Sequence, residues 1–509
     1  MYVIYERVRA LVKFLNVDTV ISQNQFSNKQ VEFIKYLNDN TDASYIEALH
    51  FFYGGNKKES FNRFLNRIES IVINGGLLAN SIVSLKGEAF YKSISTYKSY
   101  ASLQIIRESG NEKLYVHYAE KILRRAITNQ MLDLVMILSS QLEFHYSFIE
   151  IDTVKEEKYR LLKNSTTSTL TVINELSLIY YKLGQLIVSG KSVRLIDVTE
   201  EYICKLQKAK KLINYNTPFT VAQRIYASLS YYFLLTQEYS KMYVVSKESY
   251  EYFKINFPDR ALQHFLFRLR MAVAKIFMSD YNGARRLMNE VLEMNPSPGL
   301  LHWNSAYSYA FVLEMLTKNY QDATDILIDM VTEPKLNNLE DIWIQQWRIR
   351  SAYIHFLAKI GLVDLERIGK KRVPNFRLGR FLNEVPTYSK DKRGLNISII
   401  IAQFLILLAD RKFGQIYDRI DALSKYSYRH LKNDDKLRSN CFIRMLLSLA
   451  KAEFNPVRAQ RYAEKYVEKL KTTEMNLNEY STEIEIIPYE DLWEIILQLV
   501  DQKKKVNLT

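Results

Sequence analysis

Along most of the chain, apolar residues recur at i, i+3, i+4 and i+7. Short polar turns such as Asn-Gly-Gly at 74–76, Glu-Ser-Gly-Asn at 108–111 and Ser-Asp-Tyr-Asn at 279–282 break this pattern every dozen to twenty residues. Such a pattern predicts a succession of tightly joined helices. Composition agrees with it. Only 15 glycines and 9 prolines occur in 509 residues, far fewer than a turn-rich all-β chain requires. Hydrophobic residues make up 48% and charged residues 25%, so the chain has enough apolar material for a large core and is expected to fold throughout.

A long helical chain forms either one bundle or a stack of hairpins, and an internal period decides between them. One is present. In the segment 272–296, aromatic Tyr281 is followed by small Ala284, then Met288, Val291 and a closing Pro296. The next unit repeats this with Tyr320, Ala323, Leu327, Met330 and Pro334. The unit before it carries Tyr226, Leu229, Ser230 and Phe233 on a first helix and Tyr239 on a second. Ala119, Leu123 and Ala126 echo the second-helix spacing earlier in the chain.

This pattern resembles the tetratricopeptide repeat over roughly residues 220–336, with weaker likeness over 97–190 and 395–475. The resemblance implies hairpins in which small residues let two helices approach, an aromatic fills the gap between neighbours and a proline stops the second helix. Departures are visible. The Tyr239–Tyr281–Tyr320 spacings are 42 and 39 residues, longer than the family's ~34, and bulky Phe311 stands where a small first-helix residue is expected. Taken as a whole, the order of elements, with Leu-His-Phe-Phe-Tyr-Gly-Gly at 49–55 and Ile-Ile-Pro-Tyr-Glu-Asp-Leu-Trp at 486–493, resembles uncharacterised bacterial helical-repeat proteins.

What the resemblance implies is an all-α, right-handed superhelical solenoid with a distinct N-terminal head. The expected division is a head at 1–90, repeats at 91–365, a basic loop-rich connection at 366–394, and further repeats with an acidic cap at 395–509. The implied function is a non-catalytic scaffold or adaptor holding a protein or peptide partner in a concave groove, with Tyr231, Tyr232 and Trp303 as candidate anchors.

The head suggests a second function. Three short helices are expected between Gln30 and Val72, the last with an apolar stripe of Phe61, Phe64, Leu65, Ile68, Ile71 and Val72. Opposite the stripe lie Lys57, Lys58, Asn62, Arg63, Asn66 and Arg67. A helix-turn-helix would present such a face to a DNA groove, while an ordinary solvated helix face looks the same in sequence.

Charge adds two blocks. The net charge is +14, which favours polyanions or acidic proteins at long range without choosing between them. Residues 366–393 hold nine basic and three acidic residues. Lys370, Lys371, Arg372, Arg377 and Arg380, interleaved with Phe376, Phe381 and Tyr388, make this stretch a candidate for nucleic acid or an acidic partner. Residues 474–501 carry eight acidic residues and no basic one, and Lys503–Lys505 follow. Opposed blocks also fit contact within the chain or between copies.

Signatures of catalysis are absent from the sequence. Gly184–Ser192 reads Gly-Gln-Leu-Ile-Val-Ser-Gly-Lys-Ser, one residue too long for a phosphate loop and preceded by a helical rather than a strand pattern. The seven histidines form no His-Glu-x-x-His pair. The two cysteines, Cys204 and Cys441, lie in apolar helical runs and are expected to be buried inert thiols. An enzyme with a site assembled across hairpins is the least supported reading, and no catalytic residue, metal site or cofactor is expected. The N-terminal segment has charges where an export signal needs an apolar run, and the longest apolar stretch, 395–409, is shorter than the ~20 residues of a membrane span. A cytoplasmic protein without membrane contact is therefore expected.

Overall fold

The computed structural model describes residues 2–14, 26–40, 43–55, 57–78, 88–189, 196–294, 298–365, 395–417, 420, 437–473 and 485–506. Among these residues lie twenty α-helices, a short 3-10 helix at Pro334–Asn338, and no strand. The chain divides into two compact units, Met1–Val172 and Ile173–Thr509. The division differs from the expected boundary at residue 90 and falls inside the helix Thr153–Ser189.

The first unit opens with four helices, α1 (Tyr2–Phe14), α2 (Asn28–Asp39), α3 (Tyr45–Tyr53) and α4 (Lys58–Leu78). Helix α3 starts at a reciprocal cap: the Glu47 N–H donates to the Ser44 hydroxyl at 3.3 Å, and the Ser44 N–H donates to the Glu47 carboxylate at 2.7 Å. It stops at Gly54, whose φ of 64° is the left-handed conformation that glycine adopts without a Cβ penalty. Tyr5, Phe33, Ala48, Phe61, Leu65 and Ile68 close the core of this head. Phe52, Phe61 and Phe64 each meet the Phe33 ring edge-on, with centroids 5.1–5.8 Å away. Three further helices follow, α5 (Glu88–Glu108), α6 (Glu112–Thr128) and α7 (Leu132–Phe148), and then α8 (Thr153–Ser189). Ala119, Leu123 and Ala126 of α6 are buried together, as their spacing requires.

Helix α8 is 37 residues long, longer than the dozen to twenty residues the turns in the sequence predict. Its middle, Ser165–Thr171, is a Ser/Thr run whose hydroxyls return to their own helix. Thr166, Thr167, Ser168, Thr169 and Thr171 each donate to the carbonyl four residues back. Residues that would otherwise compete with the helix are thereby satisfied within it.

The second unit continues with α9 (Ile196–Lys211), α10 (Phe219–Leu235), α11 (Tyr239–Asn256), α12 (Ala261–Phe277), α13 (Tyr281–Glu293), α14 (Leu301–Leu316), α15 (Tyr320–Thr332) and α16 (Asp341–Lys359). After these come α17 (Leu395–Ala409), α18 (Leu437–Lys451), α19 (Pro456–Lys471) and α20 (Tyr489–Val506). From α9 to α17 each helix packs on the next in sequence, as do α18 on α19 and α19 on α20. One turn geometry recurs, once in the first unit and six times in the second. Gln130, Gln237, Ser279, Lys318, Gly361, Arg411 and Glu453 all have φ between 53° and 80°. In each case the N–H of the following residue donates to the carbonyl five residues behind it, at 2.8–3.0 Å. This is the six-to-one bond of a helix C-cap. From Gln237 onward the positions lie 42, 39, 43, 50 and 42 residues apart.

The residue at the start of the following helix is aromatic at Tyr239, Tyr281, Tyr320 and Phe413. Tyr239 stacks on Phe277 of the next hairpin, with centroids 4.5 Å apart and planes 9° from parallel. Ala284 and Ala323 are fully buried at the positions where close helix approach needs a small side chain. Bulky Phe311 is accommodated in the core, edge-on to Trp347 at 5.9 Å. Cys441 is buried but Cys204 is exposed, contrary to the expectation for both thiols. Helix α9 turns Leu206 inward, and Cys204 falls on the far side.

Candidate partner-binding surfaces

In the head, the stripe predicted on α4 is real: Phe61, Phe64, Leu65 and Ile68 are buried, and Ile71 is partly so. The side chain of Val72 lies outside the described ones. Lys57, Lys58, Arg63, Asn66 and Arg67 are exposed on the other face. Two members of the expected face are engaged within the head. Asn62 accepts the Tyr45 hydroxyl at 3.2 Å, and Arg63 pairs weakly with Glu59 at 3.8 Å. Among the described residues, Lys57, Lys58 and Arg67 meet no carboxylate within 4 Å.

The three aromatic anchors do not share a surface. Trp303 is 3% exposed and belongs to the core, so it is no groove anchor. Helices α12, α13 and α15 all pack on α14, which leaves its Trp303, Ala306, Tyr309, Ala310, Phe311 and Leu313 little access to solvent. Tyr232 is 9% exposed and lies edge-on to Phe233. Burial raises its hydroxyl pKa, so it too is a packing residue. Tyr231 is partly exposed.

Around Tyr231 the structure assembles a group that the sequence did not reveal. Tyr180 of α8 stacks on Tyr231 of α10, with centroids 5.4 Å apart and planes within 18°. Arg224 of α10 lies over the Tyr180 ring at 4.5 Å, and Arg270 of α12 over the Tyr231 ring at 4.8 Å. The Arg224 Nε donates to the Ser177 hydroxyl at 3.2 Å. Burial pushes the Tyr180 hydroxyl up to about 12, Tyr231 adds to the rise, and Arg270 and Arg224 pull against it. Arg224 and Arg270 are 46 residues apart in sequence and on different helices, so no local motif joins them.

Neighbouring first helices carry polar groups that are spent internally. The Trp347 Nε1–H of α16 donates to the Asn304 Oδ1 of α14 at 2.8 Å, and Arg350 donates to the Ser308 hydroxyl at 3.1 Å. The buried Glu314 carboxylate accepts both arms of the Arg285 guanidinium at 2.8 Å and the Asn319 amide at 2.9 Å.

Lys370, Lys371, Arg372, Arg377 and Arg380, with Phe376, Phe381 and Tyr388, lie outside the described residues, as do Glu474, Glu479 and Glu483. In the described part of the acidic block Glu485 is buried and Glu490 and Asp491 are half-buried, while Glu494 and Asp501 are exposed. Arg438 is 5% exposed and Glu485 7%. The Arg438 guanidinium donates to both Glu485 oxygens at 2.8 and 2.7 Å, to Glu490 at 3.0 and 2.6 Å, and to the Leu470 and Thr473 carbonyls at 2.9 and 2.7 Å. Asp491 meets Lys318 at 2.8 Å. In the phosphate-loop-like stretch, Gly184–Ser189 is helical, and Gly190–Ser192 lie outside the described residues. Among the described residues, no group of three His, Cys, Asp or Glu is placed to hold a metal ion, and no helix is long and apolar enough to cross a membrane.

No protein family, curated protein or solved structure matches this chain.

Proposed function

We propose that the chain is a non-catalytic helical-repeat scaffold whose first helices hold a protein or peptide partner. The observation that carries this reading is the repeated left-handed turn between packed helices. A hairpin cannot bury both of its faces alone; stacked hairpins bury a continuous core and leave one face of their first helices for a partner. A tetratricopeptide-like right-handed superhelix is the architecture we infer from that repetition, with a cytoplasmic setting. The partly exposed Tyr231, stacked and flanked by arginines, is the kind of rigid aromatic that anchors a partner at small entropy cost.

The test is retention on the tagged full chain from native cell extract, at low salt and at about 0.5 M salt, with and without nuclease. A protein partner that survives both salt and nuclease is the expected result. Recovery of nucleic acid alone, removed by salt, overturns it.

A second reading has its own observation: α4 exposes Lys58, Asn66 and Arg67 opposite its buried stripe, and Lys57, just before the helix, is exposed as well. That face would put cations on phosphates and an amide on a base edge. In this alternative the protein is a nucleic-acid-binding regulator.

A further inference from the structure

Arg224 and Arg270 differ from Arg268, Arg285 and Arg438 of the same unit, which are spent on carboxylates. Arg268 meets Glu290 at 3.0 Å, Arg285 meets Glu314 at 2.8 Å, and Arg438 is enclosed by two glutamates. Among the described residues no carboxylate lies within 4 Å of Arg224 or Arg270, and both residues are half-buried. Each instead rests on a tyrosine face, and the two tyrosines rest on each other.

A guanidinium carried on an aromatic ring keeps its plane fixed and its N–H fork available at the edge, the geometry that takes a carboxylate with two hydrogen bonds. Arg224 spends one donor, Nε, on the Ser177 hydroxyl, and that bond fixes its orientation while the terminal nitrogens stay available. Through the stacked rings the two cations are at most about 15 Å apart, roughly the reach of four to five extended residues at about 3.3 Å each. Tyr181, 55% exposed, adjoins Arg224 at 5.5 Å and extends the aromatic surface.

We infer that Arg224 and Arg270, joined by the Tyr180–Tyr231 stack, form a two-point clamp for an extended acidic peptide segment. Two carboxylates of the partner dock on the two guanidiniums, and the chain between them lies against the tyrosines. The inference rests on the scaffold reading and names the chemistry of its partner. Stacked tyrosines alone would also suit bases, but the uncompensated pair of cations at a fixed separation favours carboxylates spaced along a peptide.

The probe is a set of fluorescein-labelled ten-residue peptides with two glutamates placed two, three or four residues apart, and an otherwise identical peptide with glutamines. Binding to the full chain is followed by anisotropy in about 0.1 M salt. The expected result is that one glutamate spacing binds best and the glutamine peptide at least tenfold more weakly. R224Q and R270Q should each weaken the best peptide about tenfold or more, with K247Q, which removes an exposed cation of α11, unchanged. R224K and R270K keep the charge without the fork and should fall between wild type and the glutamine variants, which covers the case of a glutamine variant that fails to fold.

Equal binding of glutamate and glutamine peptides overturns the clamp. So do arginine variants that bind like wild type, or an oligonucleotide that binds through these arginines while the acidic peptides do not. The extract experiment is repeated on R224Q/R270Q. A protein partner still held by that variant, with no peptide discrimination in the wild type, sinks the clamp and leaves the scaffold reading standing. Failure of the wild type to retain any protein partner sinks the scaffold reading itself.

Discussion

Replacing Arg438 by methionine would leave the Glu485 carboxylate in the interior with a single remaining donor, the Tyr489 N–H at 2.7 Å. Burial already raises the Glu485 pKa, and Arg438 is the chief opposing influence. Removing one partner of a buried ion pair costs about 3–5 kcal/mol, because the other charge stays desolvated. Two smaller losses add to it. The Thr473 carbonyl loses its 2.7 Å bond, and Leu470 loses one donor while keeping the Thr473 N–H. Glu490 adds little, since its side chain is 30% exposed and can turn to water. The expected cost of R438M is therefore about 4 kcal/mol near neutral pH. It should shrink as pH falls, because Glu485 can then take up a proton. R438M/E485M removes both charges and should recover most of the loss, short of full recovery by about 1–2 kcal/mol for the orphaned Thr473 carbonyl and Tyr489 N–H. The assay is urea unfolding followed by tryptophan fluorescence, since all four tryptophans lie in the second unit and Trp493 is held on α20 by its bond to Gln460. A cost of R438M below about 1 kcal/mol, or a double variant no better than the single one, would refute the reasoning.

Three further outcomes follow from other parts of the structure. Gln237 sits at φ 58°, so Gln237→Gly should stabilise by up to about 1 kcal/mol and Gln237→Val should destabilise by at least as much; equal urea midpoints would refute the turn argument. Burial lowers the pKa of His302 and, with help from Lys359, of His355. Both then bind protons less readily than the unfolded chain, so their share of stability is complete above about pH 6.5 and is lost as pH falls through the depressed values, by at most ~1.4 kcal/mol per pH unit each. H302Q/H355Q should flatten the decline of the urea midpoint between pH 7.5 and 5.5, and an unchanged slope contradicts it. Should the head bind nucleic acid, K57A/K58A/R67A should reduce the slope of log affinity against log salt by up to about 0.9 for each phosphate no longer neutralised; an unchanged slope excludes this face.

The head was legible because one α4 face is strictly apolar and the other strictly polar, a contrast that survives translation into three dimensions. The hairpin turns were only half legible. Their aromatic residues at Tyr239, Tyr281 and Tyr320 were visible, but from Gln237 to Arg411 the left-handed residue that ends each first helix is glutamine, serine, lysine or arginine at all but Gly361. Composition therefore carried no sign of a glycine-like conformation. Trp303 and Tyr232 were misread for a different reason. An aromatic on a first helix has the same character whether a neighbouring helix or a partner covers it, and only packing tells the two apart. Arg438 stands in the apolar run of α18 and gave no hint of the glutamates 47 and 52 residues later that enclose it.

The fate of polar side chains on the first helices narrows where a partner would sit. On α14 and α16, Asn304 is joined to Trp347 and Ser308 to Arg350, and Glu314 is closed by Arg285 and Asn319. A partner seated there would have to break buried hydrogen bonds, each expensive to leave unmade. On α8, α10 and α12 the balance is reversed: Arg224 and Arg270 are positioned by a hydroxyl and by ring faces, interactions that leave most of their donors unspent. A carboxylate arriving at these guanidiniums adds charge-assisted bonds without displacing an existing ion pair. If the chain holds an acidic partner, these unspent donors place its recognition at the N-terminal end of the second unit, away from the closed network on α14 and α16.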